Sequence, residues 1–230
     1  MDKEQIIQII ENFAPLNLAE EWDASGRIVD AENITQVEKV MLCLTVTEDV
    51  VRQAKLNNCD MIISHHPLFF VPFEYKNINI YCAHTNLDRA NGGTTDTLMK
   101  VLEMSVDGFI GDFVRFSDTE IKTDDFLKKL SRISKNIRVV NKKKVSEMKK
   151  IAFCAGSGSE FIQEAFENGA DAFVTGDIKF HTALESPIVL FDIGHFESEI
   201  PVLKVFESLL KNSVGIVYAK EESPILTMKF

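Results

Sequence analysis

Apolar residues recur along this chain at two spacings, one helical and one strand-like, and the two alternate from end to end. Ile6, Ile7, Ile9, Ile10 and Phe13 lie at helical spacing, so residues 3–13 are expected to form an amphipathic helix ending before Pro15. A polar connection with the single tryptophan follows, Glu21-Trp22-Asp23-Ala24-Ser25-Gly26. Residues 39–46 form a nearly unbroken apolar run, expected as a strand buried on both faces. Thr47 can cap a helix through about 56, with Glu48 and Asp49 in the first turn, where the helix dipole favours acids. Strands are expected at 60–63 and 78–83, and Gly92-Gly93-Thr94 opens a helix through about 103.

The same alternation continues. The pattern predicts a strand over 106–116, a helix over 123–133 capped by Thr123, and strands at 136–140 and 151–154. Gly156-Ser157-Gly158-Ser159 reads as a tight strand-to-helix turn, followed by a helix over 159–168 that stops at Gly169. Strands at 172–175 and 188–193 flank a short helix. A helix over about 198–211 and strands near 214–218 and 225–229 close the chain. Such alternation predicts an α/β architecture with largely buried sheets. The least apolar stretch, 117–125, is the expected boundary between lobes 1–117 and 118–230, with the C-terminal part able to return to the first lobe.

Where the strands end, chemistry begins. Four polar clusters directly follow apolar strands: His65-His66, His84 to Asp88, Asp177 to His181, and His195 to Glu199. Together they hold all five histidines of the chain. The carboxyl ends of strands in open α/β sheets are where ligands bind, and loops distant in sequence converge there. Imidazole mixed with carboxylate, without thiolate, suits zinc, manganese, iron, cobalt or nickel. Neighbours in extended backbone point in opposite directions, so His65 and His66 are expected to reach two different metals. Two such ions, bridged by a carboxylate and a water, form a hydrolytic centre. Pro201 tolerates only a first helical turn, which places the expected helix start near Ser198 and leaves His195 in the preceding loop.

Composition narrows the remaining choices. The 230 residues carry a net charge of −10, which argues against the basic patches that non-specific nucleic-acid binding requires. Lys142-Lys143-Lys144 and Lys149-Lys150 read as a solvated turn flanking a strand. The four cysteines form no CxxC pair, so neither a zinc knuckle nor a disulfide framework is expected. No apolar run reaches membrane-spanning length, and Met1-Asp2-Lys3-Glu4 does not resemble a secretory signal, so the expected compartment is the cytoplasm.

Taken together, Ser64-His65-His66-Pro67, His84-Thr85-Asn86-Leu87-Asp88 with Gly92-Gly93, Thr175-Gly176-Asp177 with His181, and Gly194-His195-Phe196-Glu197-Ser198-Glu199 resemble the Nif-three-like dinuclear metal proteins. Many of these carry the name GTP cyclohydrolase 1 type 2. The resemblance runs in order from Trp22 to Glu199, and the length is similar to that of the short members without an inserted central domain. It implies a two-lobed fold of mixed sheets flanked by helices, with a metal site at strand C-terminal ends in the cleft between lobes. It also implies five metal ligands, His65, His66, Asp88, His195 and Glu199. One ion would take His66, Asp88 and Glu199, and the other His65, His195 and Glu199. The resemblance makes His84 and Asp177 acid/base or orienting residues.

The implied activity is metal-dependent hydrolysis of a small nucleotide-like substrate, with activated water attacking C8 of the guanine ring. The alternative is a non-enzymatic metal-handling or regulatory protein. The resemblance further implies a toroidal homohexamer, with no nucleic-acid or membrane partner. Lys179 and Arg89 are candidates for neutralising phosphate, as are the backbone amides of the Gly156–Ser159 turn. Two departures stand out. The family's Trp-Asp-Asn with a following Gly-Leu pair is here Trp22-Asp23-Ala24-Ser25-Gly26-Arg27, and Phe180 replaces a frequent second histidine.

Overall fold

In a computed structural model, described here over residues 1–226, the chain divides into two units. The first comprises Met1–Gly93 and Val202–Glu222, and the second Thr94–Pro201 with the terminal segment from Ser223. The boundary expected near 117 therefore moves. Residue 117 lies inside a nine-residue strand, and the chain changes unit where the Gly92-Gly93 turn releases it.

Through Gly93 the chain forms α1 (Lys3–Phe13), β1 (Gly26–Val29), β2 (Lys39–Cys43), α2 (Glu48–Leu56), β3 (Met61–Ser64), β4 (Asn79–Cys82) and α3 (Thr85–Arg89). Asp2 caps α1 by accepting the Glu4 amide, while the Gln5 side chain accepts the Asp2 amide, a reciprocal capping box. Thr47 caps α2 by accepting the Val50 amide at 3.2 Å.

The second unit follows with α4 (Thr94–Val101), β5 (Gly108–Ile110), β6 (Val114–Lys122), α5 (Thr123–Leu130), β7 (Arg138–Val140) and β8 (Glu147–Phe153). Next come α6 (Ile162–Glu167), β9 (Ala172–Thr175), α7 (Phe180–Glu185), β10 (Val189–Asp192) and α8 (His195–Glu199). The chain then returns to the first unit with α9 (Leu203–Leu210) and β11 (Gly215–Tyr218).

The sheet of unit 1 runs β1-β4-β3-β2-β11; its neighbours are parallel except for β1, which pairs antiparallel with β4. Met41, Cys43, Ile62 and Ile80 on one face pack against Val50, Val51 and Ala54 of α2. The sheet of unit 2 runs β5-β6-β8-β9-β10-β7, with a parallel centre of β8, β9 and β10 and antiparallel flanks. Side chains alternate across it as the pleat demands. Ile151, Phe153, Ala172, Val174, Val189 and Phe191 face Leu98, Phe126 and Leu130 of α4 and α5, whereas Ala152, Phe173 and Leu190 face Ile162 and Ala165 of α6.

Several elements differ from the sequence expectation, each for a physical reason. The strand expected at 106–116 is a hairpin, β5 and β6, which turns at Gly111 with φ +56°. Thr123 does not cap α5. Its hydroxyl donates to the Val145 carbonyl at 2.8 Å, and Lys122 stands at the cap with no side-chain bond. Lys149 and Lys150 lie within β8 rather than in a flanking turn. The helix expected over 198–211 is broken into α8, a 3-10 turn at Ile200–Val202 containing Pro201, and α9. The missing Pro201 N–H thus falls at a junction instead of in a helical interior. β1 was not expected, since only its ends are buried. The strand expected over 225–229 lies largely outside the described residues. Among the described residues, no helix is long and apolar enough to cross a membrane.

Candidate metal centre

In unit 1, β3 ends at Ser64 and the chain bends through His65 and His66. Both amides still bond back toward β2, His65 to the Cys43 carbonyl at 3.3 Å and His66 to the Leu44 carbonyl at 2.8 Å. The strand alternation stops at this bend. The two rings therefore do not point apart as the extended-backbone argument expected. Their centroids lie 5.2 Å apart, with the His84 ring 5.2 Å from His65 and 5.8 Å from His66.

Each ring is held through its Nδ1 atom by a different acceptor or hydroxyl. His65 is fully buried, and its Nδ1 lies 3.0 Å from the Ala83 carbonyl. A carbonyl only accepts, so His65 donates to it from Nδ1. Its Nε2 faces the Asp88 carboxylate at 3.5 Å. His66 Nδ1 lies 2.7 Å from the Thr45 hydroxyl. His84 Nδ1 lies 3.0 Å from Asp23, whose side chain is out of solvent.

Burial opposes charge on Asp23. Hydrogen bonds from Thr85, Ser25 and His84 outweigh it and bring the carboxyl down to about 2. Burial, reinforced by His65, lowers the His84 pKa, so His84 is neutral near pH 7 with its lone pair on Nε2. One ligand atom from each of His65, His84 and Asp88 lies within 4.8 Å of the others. Asp88 is delivered by α3, whose amide at 88 bonds to the His84 carbonyl. The turn after α3 is possible only with glycine at 93, where a Cβ would stand 1.8 Å from the Leu87 carbonyl oxygen.

In unit 2, α8 carries His195 and Glu199 one turn apart, with Gly194 at the N-cap. The loop position expected for His195 is thus corrected, because the junction at Pro201 lets the helix start earlier. His195 Nδ1 lies 2.7 Å from Asp177, and its Nε2 lies 2.9 Å from Glu199. The bond to Glu199 raises the His195 pKa; burial opposes the rise, and Asp177 adds to it, for a value of about 9.

Asp177 occupies the left-handed region at φ +57°. Asp192, at the end of β10, holds both neighbours in place. Its carboxylate accepts the Ile178 amide at 3.0 Å and the Gly194 amide at 3.1 Å, and it pairs with Arg138. The Gly156 turn closes behind Glu199: a Cβ at Gly156 would stand 2.1 Å from Glu199 Oε1.

Other candidates are placed elsewhere. The Gly156 amide donates to Ser198 Oγ and the Gly158 amide to Thr175 Oγ1, so this turn spends those N–H groups on the fold rather than on an anion. Arg89 pairs with Glu20 at 2.6 Å and donates to the Leu18 carbonyl. His181 is exposed on α7, its ring edge-on to Phe180. All four cysteines are buried free thiols. Thr45, Asp23 and Asp192 were missed as site residues. Only Asp23 had a sequence signal, its place beside Trp22.

The family model described as Duf34/NIF3 (NGG1p interacting factor 3) matches residues 1–224. The chain belongs to the Duf34/NIF3 family. A Clostridium perfringens relative named GTP cyclohydrolase 1 type 2 homolog is 32% identical over 96% of this chain and 97% of its own length. A Clostridium acetobutylicum relative of the same name is 30% identical, with 91% and 89% covered. Among solved structures, reduced HcgD from Methanocaldococcus jannaschii superposes with a TM-score of 0.83 at 27% identity, covering 95% of this chain and 97% of that one. A Bacillus cereus protein related to NIF3 shares the fold at a TM-score of 0.84 and 21% identity, with 99% of each chain covered.

The donor atoms of this Duf34/NIF3 chain could hold a metal ion. They are imidazole nitrogens and carboxylate oxygens, with no thiolate. Oxygen partners at Nδ1 that leave Nε2 for the ion are the usual support of a metal-ligating histidine.

Proposed function

We propose that this protein binds two divalent metal ions through His65, His66, Asp88, His195 and Glu199, and uses them to hydrolyse a small nucleotide-like substrate of the kind its relatives' name suggests. One observation supports this most. In each unit, a histidine held at Nδ1 by an oxygen turns its Nε2 onto a carboxylate, His65 onto Asp88 and His195 onto Glu199. Two such ions, when bound, supply Lewis acidity and bring the pKa of water towards about 7.

The chain's own groups do the rest. Asp23 keeps the His84 proton on Nδ1, so Nε2 of a neutral ring is ready to take a proton from the reacting species. Asp177 fixes the His195 ring, and the backbone bonds of Asp192 hold both of these residues in register. Assembly as a toroidal homohexamer belongs to the same reading, and a monomer in sedimentation would remove it.

The test is elemental analysis of the purified full chain, joined to turnover of GTP and a nucleotide library. Two ions per chain are expected, with loss of metal in His65→Ala and His195→Ala and loss of rate in Glu199→Ala. Less than one ion per chain, or wild-type metal content in those variants, sinks the metal reading. Two ions without any turnover would leave a metal-handling or regulatory protein.

A further inference from the structure

Beyond Tyr218 the chain leaves β11 and is strapped along the end of β2. The Ala219 amide donates to the Leu42 carbonyl at 2.9 Å, continuing the parallel ladder by one rung. Gln53 of α2 then takes both backbone groups of Lys220, accepting its amide at 2.9 Å and donating to its carbonyl at 3.1 Å. Glu221 completes the strap. Its two carboxylate oxygens accept the consecutive amides of Leu44 (2.7 Å) and Thr45 (2.9 Å).

The strap secures the backbone of Thr45, and the Thr45 hydroxyl meets His66 Nδ1 at 2.7 Å. Thr45 sits just past β2, where its peptide is held from two sides, the Leu44 carbonyl by the His66 amide at 2.8 Å and the Thr45 amide by Glu221. A two-oxygen acceptor on two adjacent N–H groups leaves that peptide a single orientation. The orientation of the hydroxyl, and with it the His66 ring, then follows from a residue 155 positions further along the chain.

We infer that Glu221 is a positioning residue for His66, acting through the Thr45 backbone and hydroxyl. The inference rests on the two-metal reading above, since it assigns Glu221 to the support of one ion. The arrangement is demanding in one respect. Glutamine at 221 offers only one acceptor, and its NH2 group would face the remaining amide donor, so even this near-isosteric change breaks the clamp.

The experiment uses the full chain. Cobalt(II) binding is titrated on the wild type, Glu221→Gln, Thr45→Val, the double variant, and His66→Ala, the last to mark which ion depends on His66. Glu221→Gln and Thr45→Val are each expected to weaken that ion by about 10- to 100-fold while sparing the other. The double variant is expected to be no weaker than Thr45→Val, because both changes cut the same chain of contacts. A loss shared equally by both ions, additive losses, or wild-type affinity in Glu221→Gln would overturn the inference.

A metal-free readout separates it from the parent reading. Side-chain 15N NMR of His66 and hydrogen exchange at the Leu44 and Thr45 amides should both change in Glu221→Gln. If the wild type binds no metal but these signals shift, the metal reading fails and the positioning link stands. If metal binds and the signals do not shift, the positioning link fails alone. Should Glu221→Gln not fold, Gln53→Ala loosens the same strap one residue earlier, and the same shifts are expected at smaller amplitude.

Discussion

Asp23 in unit 1 and Asp177 in unit 2 each meet a histidine Nδ1, at His84 and His195, yet they are built differently. Asp23 is out of solvent and accepts five donors: the Ala24 and Thr85 amides, the Ser25 and Thr85 hydroxyls, and His84. Asp177 is 43% exposed, sits at positive φ, and reaches His195 from a loop that Asp192 pins from behind. The histidines differ accordingly. His84 is pulled down by burial and His65, whereas His195 is raised by Glu199 and Asp177. Unit 1 invests a buried, saturated carboxylate in a neutral ring. Unit 2 invests one exposed and one buried carboxylate, Asp177 and Glu199, in a cationic one, which must give up a proton before it can accept an ion.

In metal content, the contrast can be broken most severely at Gly156. Alanine there would place its Cβ against Glu199 at a backbone φ of +69°. Gly156→Ala should lose the Glu199-dependent metal by elemental analysis and about 1–3 kcal/mol of stability by urea unfolding. The larger loss of stability is expected for Asp23→Ala, which strands buried donors and should cost about 3–5 kcal/mol in the same unfolding assay while leaving His195 and Glu199 in place.

The acid limb sharpens the same comparison. The folded pKa of Asp23 is depressed to about 2, against about 3.9 in an unfolded chain. Its stabilisation is therefore fully present above about pH 4 and disappears as pH falls through 2. Asp23→Asn should flatten the stability profile across that window, and an unchanged acid limb would show that the carboxylate is not held as described. The smallest effect on the fold is expected at Asp177→Ala. Stability should move by under about 0.5 kcal/mol, while affinity for the His195-bound ion drops about 10- to 100-fold in a dialysis titration.

Much of this was legible in the residue pattern because burial leaves a strong periodic signal. α1, α2, β2, β3, β9 and β10 all lie where apolar spacing put them. The histidine clusters were visible because each stands directly beyond a buried strand. β1 was not legible, since its interior positions are not buried and it starts at a glycine with φ +109°. The β5–β6 hairpin was hidden because Ile110 and Val114 bracket its turn with apolar residues, so the run looks continuous.

The supports of the imidazole rings lay further from reach. Ala83, Thr45 and Asp23 meet their histidines only through strand order and register, and Glu221 only through the return of the chain to unit 1. Nothing in local sequence encodes those meetings. The orientation of His65 and His66 failed for a related reason, since the alternation rule holds only inside a strand and β3 had already ended.

One consequence follows from the order of strands in unit 1. β11 covers β2, yet it is synthesised after the whole of residues 94–201. At about 5–20 residues per second, a growing chain carries β2 as a bare parallel edge for roughly ten to thirty seconds. An exposed row of amides and carbonyls in that interval is a template for any passing strand. During biosynthesis the molecule therefore has a period of vulnerability set by its topology rather than by the stability of the finished protein.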